Sequence, residues 1–173
     1  MEMQSNIEYS KGETKMKRQL ANSLFATEDR LDVLLLRLAL GLVMLAHGAQ
    51  KLMGWFGGFG FENTMDYFTE SMGMPWMLGF AVIMIESIGS IFLILGLLTR
   101  PVALGLLTIM LSAALMVHWP HGFFMNWFGN QSGEGIEFFI LAIGMALALL
   151  IAGGGSYSMD SLFKSTEGAA ARG

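Results

Sequence analysis

His47 and Lys51 stand four residues apart, a spacing that stacks two side chains on one helix face. They close an apolar run that reads VLLLRLALGLVMLA over residues 33–46. Glu86 sits inside a second apolar run, His118 ends a third, and Glu137 opens a fourth, with Glu134 one turn earlier and His121 in the loop between. Arg37 lies near the start of the first. A charge at the centre of a membrane helix costs about 2.5–3.5 kcal/mol on insertion scales, so such groups turn inward and pair. Ammonium and imidazole N–H groups can polarise a carbonyl oxygen, and a buried carboxyl can give or accept a proton. This donor set suits a quinone or another proton-handling headgroup. Glu86, His47 and Lys51 are therefore the candidate catalytic residues. His47, Lys51, His118, Glu137 and Trp55 are the candidate cofactor-binding residues.

Depth supports one shared pocket. At about 1.5 Å per residue, His47 lies roughly 9 Å and Glu86 roughly 12 Å below the outer ends of their runs. Every group except Arg37 falls in the outer half. Groups seeking the surface independently would scatter to both faces, whereas a pocket opening outward predicts this asymmetry. The plainer readings are a protonated Glu86 bonded to a neighbouring helix, His47 and Lys51 as interface residues, and Arg37 snorkelling to lipid phosphates. Two metal chemistries fit less well. A di-metal carboxylate site wants about four carboxylates with Glu-x-x-His pairs. Neither Glu86 nor Glu137 has a histidine three residues on. A haem with two axial imidazoles would have to use His47 and His118. Neither a metal nor a haem is expected.

The elements that must position these groups are apolar helices. The 173 residues are 54% hydrophobic and 14% charged, against about 25% charged in soluble domains. Mean hydropathy is +0.55. There is no cysteine, which excludes disulfides, thiolate nucleophiles, Cys-held iron–sulfur clusters and CxxC redox motifs. Net charge is -4 and no basic block suggests nucleic acid. The fifteen methionines are spread along the chain, so copper traffic is not expected.

Four apolar runs, 33–53, 78–98, 102–119 and 136–152, approach the about 20 residues a membrane span needs. The predicted fold is all-α: an integral membrane four-helix bundle with a short interfacial helix in the first outer loop. In that loop Asn63 and Thr64 are candidate caps and Gly73 a candidate stop. Met65, Phe68 and Met72 lie opposite Asp66 and Glu70, a pattern suited to a helix in the membrane plane. Trp55, Phe56, Phe59 and Trp76 are candidate anchors there, with Trp119 and Trp127 in the second outer loop. Small residues at Gly41, Gly48, Gly89, Ser90, Gly105, Thr108 and Ser112 favour close helix contact.

Lys11, Lys15, Lys17, Arg18 and Arg30 precede the first run, Arg100 lies between the second and third, and Lys164 and Arg172 follow the fourth. Residues 54–77 and 120–135 hold no Lys or Arg. The positive-inside rule then places both termini in the cytoplasm. Thr99–Pro101 is read as the tight turn joining runs two and three, with the proline suited to the first turn of the helix that follows. The predicted parts are a polar, unstructured tail at 1–30, a membrane domain at 31–163 and a flexible tail at 164–173. No cleavable signal is read, and Met16 is a second plausible start.

Several segments, taken together, resemble one family. They are RLALGLVMLAHGAQKLMGWFGGFGF (37–61), GLLTRPVAL (96–104), MVHWPHGFF (116–124), EFFILAIGMALALL (137–150) and GGGSYSMDSLF (153–163). The chain is similar to the DoxX family of small four-span bacterial membrane proteins over about residues 33–163. The resemblance implies a bacterial inner-membrane setting. Related DoxD-type proteins are associated with a membrane oxidoreductase that passes electrons from thiosulfate to quinone, and other DoxX-like proteins with oxidative-stress complexes. With no cysteine here to handle sulfur covalently, the resemblance implies a membrane redox context rather than a given reaction. The expected function is a quinone-associated redox subunit or accessory. The alternatives are a scaffold recruiting a redox or stress-response partner, and a small transporter, against which the lack of inverted repeats argues.

Overall fold

The computed structural model describes residues 15–16 and 30–163. The predicted tails at 1–30 and 164–173 fall almost wholly outside them. Among the described residues every regular element is helical. The main ones are α1 (Leu31–Met53), α2 (Gly60–Asp66), α3 (Trp76–Leu95), α4 (Thr99–His121) and α5 (Glu137–Ala152). α1, α3 and α4 have 23, 20 and 23 residues and are long and apolar enough to cross a membrane. At about 1.5 Å per residue they extend roughly 30–35 Å, against a hydrocarbon core of about 30 Å. α5, with 16 residues, is shorter.

One buried core joins α1, α3, α4 and α5. It holds Leu40 and Met44, Leu93, Leu106 and Met110, and Phe139 and Leu149, with Ala103, Ala142 and Ala146 where α4 and α5 approach. The outward residues are equally apolar: Leu35, Leu42, Leu104, Leu111, Leu141 and Ile151 are exposed. A helix facing water would carry a polar stripe there. The surface is that of a membrane protein.

α4, the third apolar run, starts earlier than predicted, because the turn lies at residues 96–98 rather than at Thr99–Pro101. Gly96 and Leu98 take the left-handed conformation, with φ of 68° and 51°. Pro101 thereby falls in the first turn of α4, where a missing N–H removes no helical bond. Gly96 also makes room. A Cβ there would sit 2.6 Å from Arg37 Nη1 and 2.5 Å from Ser158 Cβ.

Arg37 does not snorkel. It is 1% exposed, with Nη1 donating to the Gly154 carbonyl and Nη2 to the Tyr157 carbonyl at 2.9 Å. The reason is residues 153–163, which fold back under the helices. Buried Asp160 accepts from the Leu98 and Thr99 N–H groups at 2.7 and 2.9 Å, capping α4. Its carboxylate lies within electrostatic reach of Arg37. Arg100 donates to the Leu150 and Ile151 carbonyls at 3.0 and 2.9 Å, satisfying the end of α5. The start of α1, the α3–α4 turn and the end of α5 thus meet at one end of the molecule.

α2 begins at Gly60, not at Asn63, whose amide donates back to the Phe59 carbonyl at 2.9 Å instead of capping. Met65 and Phe68 are buried on Ile83 of α3, and Met72 packs at their edge. Asp66 and Glu70 are exposed on the other side. The predicted division into two faces holds, but this apolar face is turned onto protein.

At the α1–α3 seam, a Cβ on Gly48 would lie 2.5 Å from the Glu86 carbonyl oxygen and 2.6 Å from Ser87 Cα. Both are backbone atoms, so the helices would have to part. Overpacking of this kind costs about 1–3 kcal/mol. Gly48→Ala is expected to lower the thermal unfolding midpoint in detergent, and Gly144→Ala, where a Cβ meets nothing within 4 Å, to leave it unchanged.

Candidate functional site at the α1–α3 seam

Gly48 brings α1 against α3 one turn before Lys51, and Lys51 Nζ lies 2.5 Å from Glu86 Oε2. The side chains are 26% and 3% exposed, so a buried carboxylate meets an ammonium that keeps partial access to its surroundings. The approach is electrostatic rather than a directed hydrogen bond, and Glu86 Oε2 has no hydrogen-bond partner among the described residues. Glu86 stands in a π-helical turn, Ile85–Gly89. Such a turn adds one residue, widens the helix locally and re-aims its side chains. No periodicity in the sequence announced it.

His47 is half-buried one turn from Lys51 on α1 and within electrostatic reach of both Lys51 and Glu86. Its ring lies 5.8 Å, centroid to centroid, from Phe138 of α5. Phe138 contacts Phe139 at 5.4 Å, and Phe139 contacts His118 at 4.3 Å. The two histidines therefore share one aromatic wall. Sequence reasoning missed Phe138, because one phenylalanine in an apolar helix carries no distinguishing signal.

His118 lies in a second π-helical turn, Ala114–His118. Its Nδ1 is 2.9 Å from the Glu134 carbonyl. A carbonyl only accepts, so Nδ1 carries the hydrogen, and in the neutral ring Nε2 holds the free lone pair. Glu137 Oε1 accepts from Trp127 Nε1 at 2.6 Å, and Glu134 Oε2 from the Asn126 N–H at 2.6 Å. These carboxylates fasten the loop between α4 and α5. Trp55 is exposed on a short 3-10 turn, Trp55–Gly57, with its ring edge-on to Phe56.

The structure thus brings Lys51, Glu86 and His47 together and joins His118 to them through Phe138 and Phe139. It engages Glu137 with the loop between α4 and α5, and Trp55 with Phe56. Among the described residues, no group of three His, Asp or Glu side chains gathers where a metal ion could be held.

The model of the DoxX family matches residues 33–119, half of the chain. The chain belongs to the DoxX family. The match runs from α1 to the end of α4 and so contains Arg37, His47, Lys51, Glu86 and His118 of this DoxX protein. α5 and the Asp160 segment lie beyond it. No curated protein and no solved structure matches the chain closely enough to count as a relative.

Proposed function

We propose that this DoxX protein is a quinone-associated redox subunit or accessory of the bacterial inner membrane. In this reading it is a four-span bundle with both termini cytoplasmic, α2 lies at the outer interface, and the pocket opens to the outer face. The observation that carries the reading is the Lys51–Glu86 ion pair inside helices built for lipid, with His47 beside it. The residues present fit a quinone headgroup. Lys51 has three N–H donors, and its contact with Glu86 is an ion pair without hydrogen-bond geometry. Glu86 Oε2 is buried without a hydrogen-bond partner, and Phe138 supplies a flat apolar wall beside His47. A bound quinone supplies a two-electron, two-proton couple. Lys51 and His47 would hold and polarise its carbonyl oxygen, Glu86 would exchange protons, and His118 and Glu137 would complete the mouth.

The second reading is a scaffold that recruits a redox or stress-response partner. Its support is the exposed aromatic set at the outer end: Phe56, Phe59, Trp127 and Phe128. One titration separates the two. Purified protein is titrated with a short-chain benzoquinone by equilibrium dialysis. His47→Ala and Glu86→Gln are expected to weaken binding by about tenfold or more, the scale of a lost charge-assisted hydrogen bond, while Trp127→Ala leaves it unchanged. Equal binding by all variants, or none by any, would leave the scaffold reading standing.

A further inference from the structure

Five of the six buried side-chain atoms without a hydrogen-bond partner among the described residues lie along the α1–α3 seam and at its Thr99 end: Glu86 Oε2, whose contact with Lys51 is the ion pair, Ser87 Oγ, Ser90 Oγ, Arg37 Nε and Thr99 Oγ1. The sixth, Thr64 Oγ1, is in α2. Ser87 and Ser90 are 4% and 0% exposed. A hydroxyl inside a helix ordinarily returns to a carbonyl one turn back, as Thr69 does to Met65 and Thr108 to Leu104, at 3.0 and 2.9 Å. Ser87 and Ser90 do not. Buried polar atoms without protein partners are costly, and bound water is their usual partner.

The atoms are spaced as rungs. At about 1.5 Å per residue, Glu86 lies roughly 13 Å from the inner end of α3, Ser87 roughly 12 Å and Ser90 roughly 8 Å. Arg37 lies roughly 9 Å from the inner end of α1, level with Ser90. The Gly41 position, one turn above Arg37, faces the Ser90 carbonyl, with a Cβ there 3.4 Å away. Thr99 opens α4 at the inner end, and a Cβ on Gly154 would lie 3.2 Å from its hydroxyl.

We propose that this line is a proton route, water-bridged through Ser87 and Ser90, connecting Glu86 to the end of the molecule closed by Arg37 and Asp160. A proton entering from water at that end reaches the buried Thr99 hydroxyl and passes by hydrogen-bond exchange along the hydroxyls and their waters. It arrives on a Glu86 carboxylate oxygen, which becomes neutral, while Lys51 keeps its own proton. Asp160 offsets the Arg37 charge that would otherwise repel the proton. The charged groups around Glu86 are Lys51 and His47 from α1. Those on the other packed elements are engaged or exposed at the ends: Arg100 with Leu150, His118 with Glu134, Glu137 with Trp127, and Glu62, Asp66 and Glu70 on the surface. The route deepens the quinone reading by naming the side from which its site draws protons, yet its test needs no quinone.

The test is infrared difference spectroscopy of the protein in oriented vesicles after a pH jump on one side. The Glu86 carboxyl band is assigned by its loss in Glu86→Gln. The band is expected to follow the pH at the Arg37–Asp160 end. Ser90→Val is expected to slow it about tenfold or more, as breaking one link of a hydrogen-bonded chain raises its barrier, and Ser90→Thr to restore the rate. Ser90→Ala serves where valine unfolds the protein. Three results would overturn the route: exchange that follows the outer pH, an unchanged rate without the Ser90 hydroxyl, or a band that does not respond to the pH jump from either side. Loss of quinone binding with this exchange intact would remove the quinone reading and leave the route.

Discussion

Lys51→Met is expected to lower the unfolding free energy by about 3 kcal/mol, the low end of the cost of removing one partner from a buried ion pair. The low end applies because the Lys51 head is partly open to its surroundings. Replacing both groups, Lys51→Met with Glu86→Leu, should recover most of the loss. A pair exchanged for apolar residues of similar volume removes the desolvation cost along with the attraction. The double variant should therefore fold well and bind no quinone. Denaturant unfolding in detergent, run as a double-mutant cycle, reads the coupling directly. Losses that simply add would mean that Lys51 and Glu86 do not interact in the folded protein.

Arg37→Met should be about as damaging, at about 3–5 kcal/mol, and should act at the other end of the molecule. The guanidinium is buried and ties the Gly154 and Tyr157 carbonyls, next to the carboxylate that caps α4. Without it, two carbonyls lose their donor and Asp160 loses its nearby cation. Residues 153–163 should then detach, so limited proteolysis followed by intact mass should remove the C-terminal segment from the variant and spare the wild type. Arg37→Lys should rescue little, because an ammonium lacks the planar fork that reaches two carbonyls at once. Equal protease resistance in Arg37→Met and wild type would show that the segment is held by other contacts.

The helices were legible in the sequence because hydropathy is a sum over many residues, and no single error moves it. The residue types and their positions marked Glu86, Lys51 and His47 as groups needing polar partners, but which of them would pair stayed open until the structure set Lys51 against Glu86. Three features were hidden. The π turn at Ile85–Gly89 rotates the residues beyond it by about 100° relative to an unbroken helix, so faces assigned by 3.6-residue periodicity drift there. Arg37 reads as a snorkelling residue when only its own helix is considered; its true partners are 117 and 120 residues away, on backbone carbonyls that carry no residue signature. Ser90 reads as a packing residue, as Gly41 and Gly48 do, and Ser87 carries no signal of its own, until their hydroxyls are found without partners. The turn at residues 96–98 was placed three residues late, at Thr99–Pro101, while the reading of Pro101 as a first-turn residue of the helix that follows holds.

The central claim is that Lys51, His47 and Glu86 hold a quinone, and the most direct measurement is the quinone content of the protein purified in mild detergent. Wild type and Glu86→Gln are extracted with organic solvent and compared, with folding of the variant checked by its circular dichroism and elution profile. The account predicts stoichiometric quinone in the wild type and its loss from the folded variant. No quinone in either protein, together with no uptake of added quinone by the wild type, would contradict it.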